Sequence, residues 1–405
     1  MREFIRDNRR LFVFLVVSGF LLQFGHQIWQ ATFNNFAVER IGIGPDALGW
    51  IQSVREIPGL LSIALAFLAL ILSEMRIIAA SIVLLGIGIL LTGQATTVPS
   101  LLVATLVMSF GFHFFGPASN GALMMAARPS EAPRVLGWMR TIAAGAGALG
   151  TIVILILVER IGYPSLFLTV GGILIVGGIV LFRLGSGGHT LPPLRKARFR
   201  RRYWVFYVLS FLAGSRRHIL TTFAPFLLVK DFHVAVQVMS ILYLANSLIN
   251  TYAHQWIGRA IARFGERRML TIAYVALIPI FLGYAYVPVL PILFALFAID
   301  SVLFSFNAGL KTYLQKIAVS REELTSNMAA EQAIGHIAAV VMPAFGGALW
   351  ALLGSEAPFL IGVGIAAISV LFAQFVRVSP SDRLEATTAD GSGGGREVYS
   401  NGGGS

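Results

Sequence analysis

The sequence predicts an all-α integral membrane protein of about twelve transmembrane helices in two pseudo-symmetric six-helix bundles. Composition is the first ground for this. Of 405 residues, 56% are hydrophobic and 12% charged, with a mean hydropathy of +0.77, whereas soluble domains carry about 25% charged residues. The second ground is a series of apolar runs long enough to cross a bilayer, and the third is a weak internal repeat around a basic middle.

A helix rises about 1.5 Å per residue, so about 20 residues span a hydrocarbon core of about 30 Å. Runs of that kind fall at 11 to 37, 47 to 72, 76 to 96, 99 to 126, 134 to 158 and 163 to 184 in the N-terminal half. In the C-terminal half they fall at 204 to 229, 236 to 260, 268 to 286, 288 to 315, 323 to 352 and 355 to 377. They are numbered below as segments one to twelve.

Lysine and arginine are retained in cytoplasmic loops. The N-terminal MREFIRDNRR, the even-numbered loops and the central RKARFRRR (Arg195 to Arg202) hold most of them, against Arg40, Arg160 and Lys230 in the odd-numbered loops. Both termini are therefore expected inside, in the cytoplasmic (inner) membrane of a prokaryote. The net charge of +12 reads as this topology signal and as contact with the lipid bilayer rather than as nucleic-acid binding. No cleavable signal peptide is expected, because the first apolar run is too long and no small-residue cleavage site follows. The expected domains are an N-terminal bundle (1–184), a basic loop (185–203), a C-terminal bundle (204–378) and a disordered, partly linker-like Gly/Ser-rich tail (379–405).

An offset of about 190 residues aligns the halves. TFNNFAVER (Thr32 to Arg40) then lies over TFAPFLLVK (Thr222 to Lys230), ARPSEAPRV (Ala127 to Val135) over AVSREELTS (Ala318 to Ser326), and AFLALILSEMR (Ala66 to Arg76) over GRAIARFGERR (Gly258 to Arg268). In that last stretch Gly258, Arg263, Gly265, Arg267 and Arg268 resemble the G-x-L-A-D-R-x-G-R-R pattern that the major facilitator superfamily of secondary transporters places after the second helix of each half. The pattern's aspartate is Ala262 here, and Leu70 and Ile71 stand where the first-half Asp-Arg pair belongs. The resemblance implies a twelve-helix transporter working by alternating access. It also implies gating at the cytoplasmic side by Gly258, Arg263, Arg267 and Arg268.

Buried charge sharpens the picture, since a charge at mid-bilayer costs about 2.5–3.5 kcal/mol on insertion scales and normally faces an interior or a watery cavity. Segment one holds Gln23, His26, Gln27, Gln30 and Asn34; segment two Arg55 and Glu56; segment four His113 and Asn120; segment five Arg140. Segment seven holds Arg216, Arg217 and His218; segment eight Asn246, Asn250 and His254; segment ten Asp300, Asn307 and Lys311; segment eleven Glu331, Gln332 and His336. Segments three, six and nine carry no charged or histidine residue in their apolar spans, and segment twelve only Gln374. Every third segment therefore reads as lipid-facing and the rest as lining a path.

Arg216 lies about 18 Å along segment seven, near the midplane. Neighbouring side chains diverge by about 100°, so one of Arg216 and Arg217 is expected in the cavity and the other on a carboxylate such as Asp300. The substrate-binding candidates are Arg216, Arg217, His26, Gln27, Gln30, His113, Trp29, Tyr243 and Asn246. Intramembrane positive charges (Arg55, Arg140, Arg216, Arg217, Lys311) exceed acidic ones (Glu56, Asp300, Glu331), which favours a small-molecule anion, because guanidinium holds carboxylate or phosphate bidentately. Proton coupling is assigned to Asp300, Glu331, Glu56, His218 and His336. The repeat places Arg140 over Glu331, a pair that would close the cavity inward; pairing within each half, Arg140 with Glu56, is the alternative.

The cysteine count is zero, which removes disulfides and thiol chemistry. The histidines show no paired i, i+4 spacing, so neither a metal site nor a cofactor is expected. Nor is an enzyme, as no nucleophile has a paired base. Gly145, Gly147 and Gly150 sit within an apolar helix and read as close-packing positions; GPASNG (Gly116 to Gly121) and PAFGG (Pro343 to Gly347) read as kinks. The function expected is proton-coupled transport of a small organic or amphipathic anion by a monomer. Multidrug efflux is the alternative, weakened because GAGALG (Gly145 to Gly150) lacks the exporters' proline. A membrane receptor or lipid-handling scaffold is the third reading.

Overall fold

The computed structural model describes residues 6–68, 71–128, 131–185 and 200–378. Leu70 of the erased motif, most of the central basic loop and the tail lie outside them. Among the described residues the chain is helical throughout its ordered elements. The helices are α1 (Arg9–Phe36), α2 (Pro45–Leu60), α3 (Leu65–Leu68), α4 (Glu74–Gln94), α5 (Val98–Ala126), α6 (Ala132–Leu184), α7 (Trp204–Lys230), α8 (Val236–Phe264), α9 (Glu266–Tyr286), α10 (Leu290–Phe304), α11 (Ala308–Ile317), α12 (Arg321–Leu353) and α13 (Ala357–Ala373). Among the described residues seven apolar spans are long enough to cross a membrane, and α13 is apolar but shorter.

Local chemistry explains the boundaries. α1 ends in a π-helical turn, Ala37–Ile41, closed by Gly42 at φ 74°, a conformation only glycine adopts without strain. Pro45 opens α2, and Pro58 with Gly59 ends it in a 3₁₀ turn, Leu61–Ala64. Thr97 and Ser100 form a capping box on α5. Segments five and six run together as α6, bent where Gly162 takes φ 72° ahead of Pro164. Segment ten is divided by a 3₁₀ turn, Ser305–Asn307, between α10 and α11.

α4 packs on α5 and α6, and α9 on α10 and α13, within their own halves. The halves meet chiefly through α2 against α12, supported by α6 with α8 and by α1 with α7 and α8. The α2–α12 crossing is tight because two glycines face each other. A side-chain carbon on Gly49 would collide with the Pro343 carbonyl, and one on Gly347 with that of Pro45; small residues let helix backbones approach this closely.

Polar contacts between the halves concentrate on the side away from the basic residues. Asn35 Nδ2 donates to Val234 O at 2.9 Å, Lys230 Nζ to Ile43 O at 3.4 Å, and Gln237 Nε2 to Glu159 Oε1 at 2.5 Å. Asn35 also donates to Glu39 Oε1 at 3.0 Å, and Tyr163 holds the second oxygen of Glu39, likewise at 3.0 Å. Deeper in, Ser53 Oγ accepts from the Ala344 amide at 2.9 Å.

Candidate functional site

Between the halves, at mid-helix depth, α2, α5, α7 and α12 bring several predicted residues into one cluster. Glu56 of α2 is buried at 6% exposure. Its Oε1 accepts from Arg55 NH2 at 2.9 Å, while Oε2 lies 3.5 Å from His113 Nε2 and 3.2 Å from His336 Nδ1. The His113 and His336 rings meet edge to face, with centroids 5.3 Å apart. His336 reaches across the inter-half boundary because Gly59 has no side chain; one there would overlap both rings.

The neighbouring arginines of α7 separate as helical geometry requires. Arg216 is 1% exposed; its NH2 donates to Asn307 Oδ1 at 3.1 Å, and its guanidinium lies 5.8 Å from the Tyr274 ring centroid. Arg217 is exposed, although it sits in the middle of α7, and rests 4.3 Å over the Phe304 ring. Asp300 is half-buried on α10. It stands within electrostatic range of both arginines, but forms no ion pair with either, so the carboxylate expected to hold one of them is replaced by the Asn307 amide.

His26 stacks on Phe112 at 4.1 Å. Gln27 Nε2 donates to Thr151 at 3.5 Å, joining α1 to α6, and Gln30 is half-buried one turn further on. Trp29 departs from its expected place near a path: it is 1% exposed, and its indole N–H donates to Thr92 of α4 at 3.2 Å. A buried indole must find an acceptor, and here that turns it into its own half. Tyr243 packs edge to face on Phe297 at 5.6 Å, and Asn246 donates to the Phe297 carbonyl at 3.4 Å. His218 is half-buried beside Arg217.

The charges nearer the basic side pair differently from the expected bridge. Glu331 lies 4.0 Å from Lys311 of its own half, and Arg140 is exposed on α6 with no ion pair to Glu331 or Glu56. In the motif region Gly258 faces open space, Arg263 lies 5.3 Å over Phe264, and Arg268 is exposed. Arg267 donates to Gln374, the residue that caps the end of α13, at 3.3 and 3.0 Å, and Glu266, buried at 7% exposure, pairs with Lys316 at 2.5 Å. The motif thus joins α9 to α11 and α13 within one half.

Arg55 and Glu56 neutralise one another, as their adjacency in the sequence suggests. One feature escapes sequence reasoning. Ser109, one turn before His113, donates its hydroxyl to the Arg55 carbonyl and lies 2.9 Å from His113 Nδ1 through Oγ. The signal in the sequence is the i, i+4 spacing of Ser109 and His113.

A multi-pass helical fold whose ionisable groups gather between two halves is that of a membrane transporter. The chain belongs to the Major Facilitator Superfamily, whose family model matches residues 15–321 and 207–397. It is similar to the multidrug efflux pump Tap of Mycolicibacterium fortuitum, at 26% identity over 154 residues, 38% of this chain and 36% of that pump. Among solved structures it is similar to an inward-facing, occupied bacterial homologue of the human lysosomal transporter Spinster, with a TM-score of 0.73 at 14% identity over 92% of this chain and 97% of that one. It is also similar to the nucleoside transporter NupG, with a TM-score of 0.74 at 17% identity over 90% of this chain and 99% of that one. At these identities the two structures speak for the fold.

Proposed function

We propose that the protein is a secondary active transporter that moves a small organic or amphipathic anion across the cytoplasmic membrane by alternating access between residues 1–184 and 204–378. The observation that carries this reading is the state of Arg217. Arg55 is matched by Glu56, Lys311 by Glu331, and Arg216 is enclosed by Asn307 and Tyr274. Among the described residues Arg217 alone of these four has a side chain with neither a hydrogen bond nor an ion pair, and it lies exposed at mid-helix over an aromatic face. An exposed guanidinium over an aromatic ring suits an anion with an apolar body, since the fork binds the charge and the ring packs the remainder. The driving proton is assigned to Asp300 and Glu331, half-buried carboxylates beside these cations. The chain acts as a monomer in a prokaryotic inner membrane with both termini cytoplasmic, following its lysine and arginine distribution.

The similarity to a multidrug efflux pump favours a second reading, proton-driven export of lipophilic compounds. The two separate in proteoliposomes under an imposed pH gradient, with a panel of organic anions and cations. Gradient-driven movement of an anion that fails in Arg217→Ala supports the first reading. Movement of cations alone, undiminished in Arg217→Ala, supports the second.

A further inference from the structure

We infer that Glu56, His113 and His336 form a binding site for a divalent d-block cation of the Zn²⁺ type, which ties the two halves together in the arrangement described above. This goes beyond the transport reading and does not depend on the identity of the transported substrate.

The donors and acceptors around His113 lead to it. Ser109 uses its one hydroxyl proton on the Arg55 carbonyl, so its Oγ faces His113 as an acceptor, at 2.9 Å from Nδ1. The Ser109 carbonyl, also only an acceptor, lies 3.1 Å from the same nitrogen. Nδ1 therefore carries a ring proton, so Nε2 is the ring atom left to serve as a metal ligand, and it lies 3.5 Å from Glu56 Oε2. His336 Nδ1 points at that same oxygen from the other half, at 3.2 Å. Three ligand atoms from two halves thus converge on one point, where a cation would contact all of them.

The geometry fits such an ion. The three ligand atoms lie within 4.8 Å of one another. A tetrahedral ion with metal–ligand bonds of about 2.0–2.2 Å separates its ligands by about 3.3–3.6 Å, close to the two nitrogen-to-carboxylate distances already present. Two of the three ligands, His113 and Glu56, are also held from behind, as metal ligands are. Ser109 fixes the tautomer and tilt of His113, and Arg55 takes Glu56 Oε1 and leaves Oε2 free. The bare Cα of Gly59 admits both rings. Two imidazoles and one carboxylate select zinc, cobalt or nickel over magnesium or calcium, and leave a fourth position for water.

The ligands come from α2 and α5 of one half and α12 of the other, so the complete site exists only while these helices are together. An ion bound there favours this conformation over any in which α12 leaves α2. The cation should accordingly arrest turnover instead of supporting it.

The test uses the full chain, free of any histidine tag, in detergent and in proteoliposomes. Equilibrium dialysis should find one Zn²⁺ per chain, accompanied by a rise in melting temperature. Zn²⁺ should inhibit transport, with recovery on adding EDTA. His336→Gln and Glu56→Gln should each lose binding and inhibition at least tenfold, and the exposed-site control His254→Gln should keep both. Co²⁺ titrated into the unaltered protein needs no variant to fold, and should give the visible ligand-field bands of a four- or five-coordinate ion. A featureless Co²⁺ spectrum, no Zn²⁺ bound at 100 µM, or binding unchanged in both ligand variants would overturn the site.

Discussion

Arg216 and Arg217 are consecutive on α7, yet the first is enclosed by Asn307 and Tyr274 while the second lies exposed over Phe304. One helical step of about 100° separates an enclosed cation from an exposed one.

Arg216→Ala is therefore expected to act on stability. It removes a large buried side chain and leaves Asn307 and Tyr274 facing a cavity, a loss of about 3 kcal/mol. Thermal unfolding in detergent should show a clear fall in melting temperature, and Arg216→Lys should recover part of it. An unchanged melting temperature would remove the structural role.

The glycine crossing predicts a conformational bias. Gly49→Ala or Gly347→Ala places a methyl group against the facing backbone, an overpacking of about 1–3 kcal/mol against this arrangement. Because the chain has no cysteine, a reporter thiol at Gln30 can be read directly. Its labelling from the side opposite the basic residues should increase in either variant. Equal labelling would mean that the crossing does not limit opening.

The clasp at that same side predicts a milder effect. Asn35→Ala removes both the Val234 and the Glu39 hydrogen bonds, about 1 kcal/mol each at most. The same labelling assay should show a smaller rise than the glycine variants give. A rise larger than theirs would put the seal in the clasp and not in the crossing.

Asp300→Asn tests the coupling. It preserves shape and removes the titrating proton, so accumulation driven by a pH gradient should stop while substrate exchange across equal pH continues. Gradient-driven accumulation at the original level would exclude Asp300 as the coupling group.

Much of the fold is legible in the sequence because membrane crossing imposes length and hydropathy on every segment. The bend at Gly162, set by that glycine and Pro164, falls in the gap between segments five and six, whereas the 3₁₀ turn Ser305–Asn307 lies inside segment ten and is a break that the sequence leaves unmarked. The gathering of charges between the halves was also legible, since apolar segments three, six and nine exclude them. What could not be read is phase and distance. Helix rotation sends Trp29 to Thr92 and away from a path, and short range makes Lys311 the partner of Glu331 although the repeat pairs it with Arg140. Glu56 and His336 are 280 positions apart, so no spacing rule on one helix could have joined them to His113.

The measurement that bears most directly on the central claim is ligand-dependent thermal stabilisation of the purified protein across a panel of organic anions and cations, with Arg217→Ala alongside. The account predicts that an amphipathic anion raises the melting temperature, and that Arg217→Ala weakens its binding about tenfold to a hundredfold, the loss expected for one charge-assisted contact. Stabilisation by cations alone, equal in the variant, would contradict it.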